Sequence, residues 1–175
     1  MICAMQWRAM TPDEIATRPE ARLGGALAWM FWLALAIGVI PPLGLGLDLA
    51  FIAAGSIHAG PGVWLIGFYG GPADLGVAYM IPVVFVVAAS LAFVVMTLVR
   101  VRITPLAASV GIVTWVGLRL VFSYLQPLLI AQDVFATWPY ATAVATEAIM
   151  AAGFCGYMAT GLRPNAYYRR RLPAA

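Results

Sequence analysis

Residues 23–47 contain no charged side chain, and this uninterrupted apolar run constrains the fold more than any other feature of the sequence. An α-helix rises about 1.5 Å per residue and bilayer hydrocarbon is about 30 Å thick, so about 20 apolar residues in a row suffice to cross it. The pattern recurs: residues 75–99 are also free of charge, 104–129 are interrupted only by Arg119, and 138–161 only by Glu147. Across the chain 63% of residues are apolar and 10% charged, against roughly 45–50% and about 25% in soluble domains. With a mean hydropathy of +0.93, these proportions argue against an ordinary soluble domain. The sequence predicts an all-α integral membrane protein with four transmembrane helices, at about 23–40, 75–99, 104–129 and 138–161. Pro41-Pro42 is expected to close the first, because proline lacks the amide that an interior helical position donates.

Arginine sets the orientation. All ten basic residues are arginine and the formal net charge is +3. Residues 49–73 carry no formal charge, but a fifth crossing there would carry Arg100, Arg102 and the arginines of the tail to the outside, against the positive-inside rule. Four crossings instead leave Arg8, Arg18, Arg22, Arg100, Arg102, Arg163, Arg169, Arg170 and Arg171 on the cytoplasmic side with both termini, and Asp48, Asp74 and Asp133 on the other. Residues 41–74 then form a Gly/Pro-rich outer cap, interfacial or re-entrant, broken at Gly60-Pro61-Gly62 and supplied with interface-seeking Trp64, Phe68 and Tyr69. Residues 1–22 are a polar cytoplasmic segment. Within it Thr11-Pro12-Asp13-Glu14 has the form of a capping box and predicts a short surface helix stopped before Pro19. Residues 162–175 are a basic tail; its Arg163, Arg169, Arg170 and Arg171, with Arg100 and Arg102, are expected to fix topology and meet anionic lipid headgroups.

Helices in lipid associate through small residues and occasional polar contacts. On the fourth span Ala148, Ala152, Gly156 and Thr160 recur every four residues and fall in one row. The row reads as a helix-packing seam inside the molecule, as a seam between two copies, or as simple alanine abundance. Arg119 and Glu147 are the sharper feature, since ionisable groups at mid-bilayer cost about 2.5–3.5 kcal/mol or more and normally face a partner. Measured from the two surfaces their heights differ by about 5 Å in a slab of about 30 Å. An intramembrane ion pair joining spans three and four is expected, with Trp115, Phe122, Ser123 and Gln126 on the same face as Arg119. The alternatives are Arg119 snorkelling outward while a buried Glu147 is protonated, and a transport or proton-relay role.

Catalytic patterns are absent: the sequence contains no phosphate-cradling loop, nucleophile elbow, zinc-binding HExxH helix or carboxylate pair. Cys3 and Cys155 lie too far apart in sequence for a metal-ligand motif and read as free thiols. His58, with Asp48 and Asp74 on the outer cap, is the one constellation for cation binding or acid–base work, and reads as a solvated loop. No catalytic, cofactor-binding or metal residue is expected, and no cofactor. The basic tail follows a span directly, which favours lipid over nucleic acid. The expectation is a non-enzymatic membrane protein, an accessory or structural partner of a larger membrane assembly, or else a homo-oligomer. The alternatives are a small oligomeric permease or channel using Arg119 and Glu147, and a membrane enzyme built on His58.

Several short motifs resemble a known family. A glycine pair opens the first span (Leu23-Gly24-Gly25-Ala26-Leu27), Pro41 follows it, and a long loop precedes span two. A basic loop ending in proline, Arg100-Val101-Arg102-Ile103-Thr104-Pro105, joins spans two and three. Tyr157, Arg163 and Tyr168 give a closing aromatic, basic, aromatic spacing. In this order the chain resembles the YdgK-like bacterial inner-membrane proteins, a four-span group of unknown function. It departs from them in Ala26-Leu27, where a tryptophan is often found, and in Arg119 and Glu147. The resemblance implies four helices and an inner-membrane location, and it transfers no catalytic or binding residues.

Overall fold

A computed structural model describes residues 6–53, 80–121 and 137–174, which are mostly helical. In chain order they form β1 (Trp7–Ala9), α1 (Pro12–Thr17), a 3-10 turn (Pro19–Ala21), α2 (Gly25–Ala53), α3 (Met80–Leu98), α4 (Thr104–Arg119), α5 (Thr137–Thr160), α6 (Leu162–Arg169) and β2 (Arg171–Pro173). Among these, Pro19–Gly44 is the one stretch long and apolar enough to cross a membrane by length and composition, and Val84–Leu98 is a shorter apolar helix.

The capping box forms. The Thr11 hydroxyl accepts from the Glu14 amide at 3.3 Å, and the Glu14 carboxylate accepts from the Thr11 amide at 2.9 Å. The helix stops at Arg18, whose extended backbone is what a following proline requires.

One expectation is corrected in α2, which runs through Pro41-Pro42 to Ala53 rather than ending at Ile40. Proline fixes φ near the helical value but lacks the amide and crowds the carbonyl four residues earlier, so Pro41-Pro42 weakens a helix of 29 residues locally without ending it. Stopping there would free far more backbone groups in an apolar segment without side-chain partners for them. Of the outer cap, 41–53 is therefore helix. His58, Asp74, the Gly60-Pro61-Gly62 break, Trp64, Phe68, Tyr69, Phe122, Ser123, Gln126, Asp133 and Cys3 lie outside the described residues.

Successive long helices are neighbours: α2 packs on α3, α3 on α4, and α4 on α5. The start of α2, the end of α3, the start of α4 and the end of α5 meet at one end, since Leu27, Phe93, Ala108 and Met158 share a cluster there. The four helices therefore alternate in direction. Gly38 allows the close α2–α3 contact: a Cβ there would come within 2.7 Å of Leu91 Cδ2 and 2.9 Å of Leu91 Cγ.

Both chain ends fold onto that same end of the bundle, called here the terminal end. β1 and β2 pair antiparallel, with Arg8 opposite Leu172, and the Ala174 amide donates to the Gln6 carbonyl at 2.8 Å. Beneath the ribbon Met10, Ala21, Ala166 and Leu172 form a second small core against Ile15. The 162–175 tail is thus not a loose basic segment. Pro164, Asn165, Ala166, Tyr167 and Tyr168 are all buried, because α6 is enclosed on both sides, Tyr167 and Tyr168 joining the cluster at the ends of the long helices and Ala166 the small core beneath the ribbon.

Candidate functional site

Polar groups concentrate in two places. The first lies between α4 and α5, where Arg119 Nη2 donates to Glu147 Oε1 at 3.0 Å and both side chains are 19% exposed. The Arg119 guanidinium also lies over the Trp115 ring, 5.6 Å from its centre, one helical turn earlier. Thr142, Ala143, Thr146 and Met150 complete an open cleft of about 400 Å³ beside the pair. The Thr146 hydroxyl donates back to the Thr142 carbonyl at 2.8 Å.

The helix pairing accounts for the meeting. Cys155 Sγ approaches the Ser109 carbonyl at 3.8 Å. From that contact Arg119 lies about 15 Å along α4 and Glu147 about 12 Å back along the antiparallel α5, so one register satisfies both contacts. Chemically the pair offers a permanent cation and one carboxylate, and α3, α4 and α5 carry no second acid to continue a proton path. Among the described residues no three of His, Cys, Asp and Glu gather into a metal-sized cluster.

The second place is the terminal end. Arg163 donates to the carbonyls of Pro19 and Arg22, at 3.1 and 3.3 Å, and so ties the tail to the segment entering α2. Gly24 and Gly25 make room for it: a Cβ on Gly24 would come within 2.8 Å of Arg163 Nη1, and Gly25 has φ +54°. Opposite, Tyr168 Oη and Thr97 Oγ1 are 2.8 Å apart and Tyr167 Oη donates to the Thr97 carbonyl at 3.0 Å, so α6 is bonded to the end of α3. Burial pushes the Tyr168 hydroxyl up to about 12, against the smaller opposing effect of its bond to Thr97.

Leaving α3, the amides of Arg100 and Val101 donate to the carbonyls of Thr97 and Met96, the Schellman pattern, with Arg100 at φ 57° where glycine is usual. Its guanidinium covers the Tyr167 ring at 4.9 Å, a contact glycine would forgo. Asn165 donates to the carbonyls of Ala159 and Gly161, and its own oxygen accepts from Arg169 at 2.9 Å.

The sequence-predicted residues therefore divide. Arg119 and Glu147 are brought together. Arg100, Arg163 and Arg169 are engaged in contacts within the chain, whereas Arg102, Arg170 and Arg171 are exposed. Ala148, Ala152, Gly156 and Thr160 are exposed, and among the described residues nothing lies within 4 Å of a Cβ built on Gly156, so the row forms no seam with the described helices. The face of α5 turned to α4 instead carries Glu147 and Cys155. Sequence reasoning missed the ribbon and the buried tyrosines; the available signal was Tyr167-Tyr168 itself, two large rings in an otherwise polar segment.

No family model matches this chain, and no curated protein or solved structure matches it.

Proposed function

We propose that this protein is a four-span integral membrane protein with both termini in the cytoplasm, acting without catalytic chemistry as an accessory or structural partner of a larger membrane assembly. The observation carrying this reading is the outward position of large apolar side chains along all four long helices: Trp29 is 79% exposed, Ile149 72%, Leu98 62% and Val113 59%. Water would penalise such a surface at about 25 cal/mol per Å², whereas hydrocarbon would solvate it. The terminal ribbon supports placing both termini on one side. Two strands can pair only if both lie on one side of the bilayer, which requires an even number of crossings, and four long helices alternating in direction are consistent with that. Resemblance to the YdgK-like proteins carries the same expectation of an inner-membrane location.

The accessory role is tested by purifying the full chain in mild detergent. Co-purification of a larger stoichiometric complex is expected. A clean homo-oligomer would overturn that role in favour of the second reading, a small permease or channel, which the open cleft beside Arg119 and Glu147 favours. The two also separate by labelling: Arg119→Cys in a pore reacts with water-soluble thiol reagents from the outer side, whereas in a packed helix pair it is shielded. Reporters fused at each terminus test the topology, and only a cytoplasmic signal from both agrees with it.

A further inference from the structure

We infer that the terminal end is a docking collar for anionic phospholipid headgroups, contacted through Arg18, Arg102, Arg170 and Arg171, while the other arginines of that end are internal ties. The inference rests on the membrane reading above and adds to it a lipid class and the residues that select it.

Nine of the ten arginines lie at this end, against three carboxylates, those of Asp13, Glu14 and Glu20. Five of the nine are committed within the chain. Arg8 pairs with Glu14, Arg22 donates to the Ala16 carbonyl, Arg100 covers Tyr167, Arg163 holds the Pro19 and Arg22 carbonyls, and Arg169 holds Asn165. The remaining four are exposed and make no side-chain hydrogen bond or ion pair with the described residues. Their placement spreads them around the end: Arg18 between α1 and the 3-10 turn, Arg102 two residues before α4, Arg170 and Arg171 just past α6. In the ribbon, Arg8 and Leu172 share a face and Leu172 is buried, so Arg171, on the next pair, points the opposite way.

Two exposed indoles indicate what lies beside this collar. Trp29 and Trp32, 79% and 61% exposed, lie within the first turns of α2, close after Arg22. Indoles collect where hydrocarbon meets headgroups, which puts the adjoining guanidiniums at the depth of lipid phosphates, where they bond in a fork. These rings lie along the flank of the bundle rather than across its end. A surrounding bilayer meets rings and charges together, whereas a nucleic-acid strand laid over the end would miss the rings.

The test uses the full chain in dodecyl maltoside, titrated with phosphatidylglycerol or phosphatidylcholine, with bound lipid counted by native mass spectrometry. Preferential retention of phosphatidylglycerol is expected. Arg102→Gln is expected to weaken phosphatidylglycerol binding about fivefold without changing phosphatidylcholine binding. Arg163→Gln is expected to lower the melting temperature and leave the preference intact. An undiminished preference in a folded Arg102→Gln/Arg170→Gln/Arg171→Gln variant overturns the proposal. So does equal binding of a single-stranded oligonucleotide that the same variant loses, which would assign the collar to nucleic acid. Recovery of the chain in the soluble fraction without detergent would instead fail the membrane reading itself.

Discussion

Thr97 is fully buried and serves two partners, its hydroxyl facing Tyr168 and its carbonyl accepting from Tyr167. Removing one member of a buried hydrogen bond strands the other, at about 1–3 kcal/mol, while removing both is much cheaper. Thr97→Val and Tyr168→Phe are therefore each expected to lower stability by about 1–3 kcal/mol, and the double variant to lose less than their sum; denaturation in detergent measures the cycle. Glu14 gives a pH-dependent counterpart. The hydrogen-bonded Arg8 guanidinium, with the Thr11 amide, lowers its carboxyl from an ordinary 4.5 to about 2. A lowered value means that the contribution of this contact is complete above 4.5 and disappears as pH falls through about 2. An NMR titration of Glu14 is expected to show a midpoint near 2, and Arg8→Gln to return it toward 4.5. At this scale the sequence was legible where the signal is local, as in the Thr11–Glu14 box. It was illegible for Arg163, whose partners lie at the opposite end of the chain.

Among elements, the contrast between two glycines separates packed from open faces. Gly38 meets Leu91, whereas Gly156 meets nothing among the described residues. Overpacking typically costs about 1–3 kcal/mol, so Gly38→Val is expected to be destabilising by that amount and Gly156→Val to leave the monomer unchanged in the same melting assay. A loss of oligomeric state in Gly156→Val would mark the α5 row as a seam between copies. The α4–α5 pair behaves differently, since it is a charge pair. Arg119→Leu or Glu147→Leu alone is expected to cost about 2–3 kcal/mol, less than the 3–5 kcal/mol of a fully buried pair, because each side chain keeps 19% exposure. Combining the two changes should restore most of the loss. The lengths of apolar runs revealed α3, α4 and α5, and helical rise alone anticipated how near Arg119 and Glu147 come. The path of α2 through Pro41-Pro42 was not legible, because local propensity argues for a stop there and continuity of backbone hydrogen bonds for the opposite.

For the whole molecule, charge asymmetry predicts both ends on one side, and the ribbon joins them. Hydropathy has no means of showing that join, since strands as short as Trp7–Ala9 and Arg171–Pro173 carry no periodicity to detect. Removing residues 171–174 is expected to expose the segment before α2, so trypsin should cleave at Arg8 and Arg22 faster than in the full chain, with the long helices intact by circular dichroism. The pairing also has a temporal side. Trp7–Ala9 is translated long before Arg171–Pro173, and at about 5–20 residues per second the earlier strand waits roughly 8–33 s for its mate. Until Arg171–Pro173 is made, that strand has no mate, so the ribbon closes only after every long helix has been synthesised.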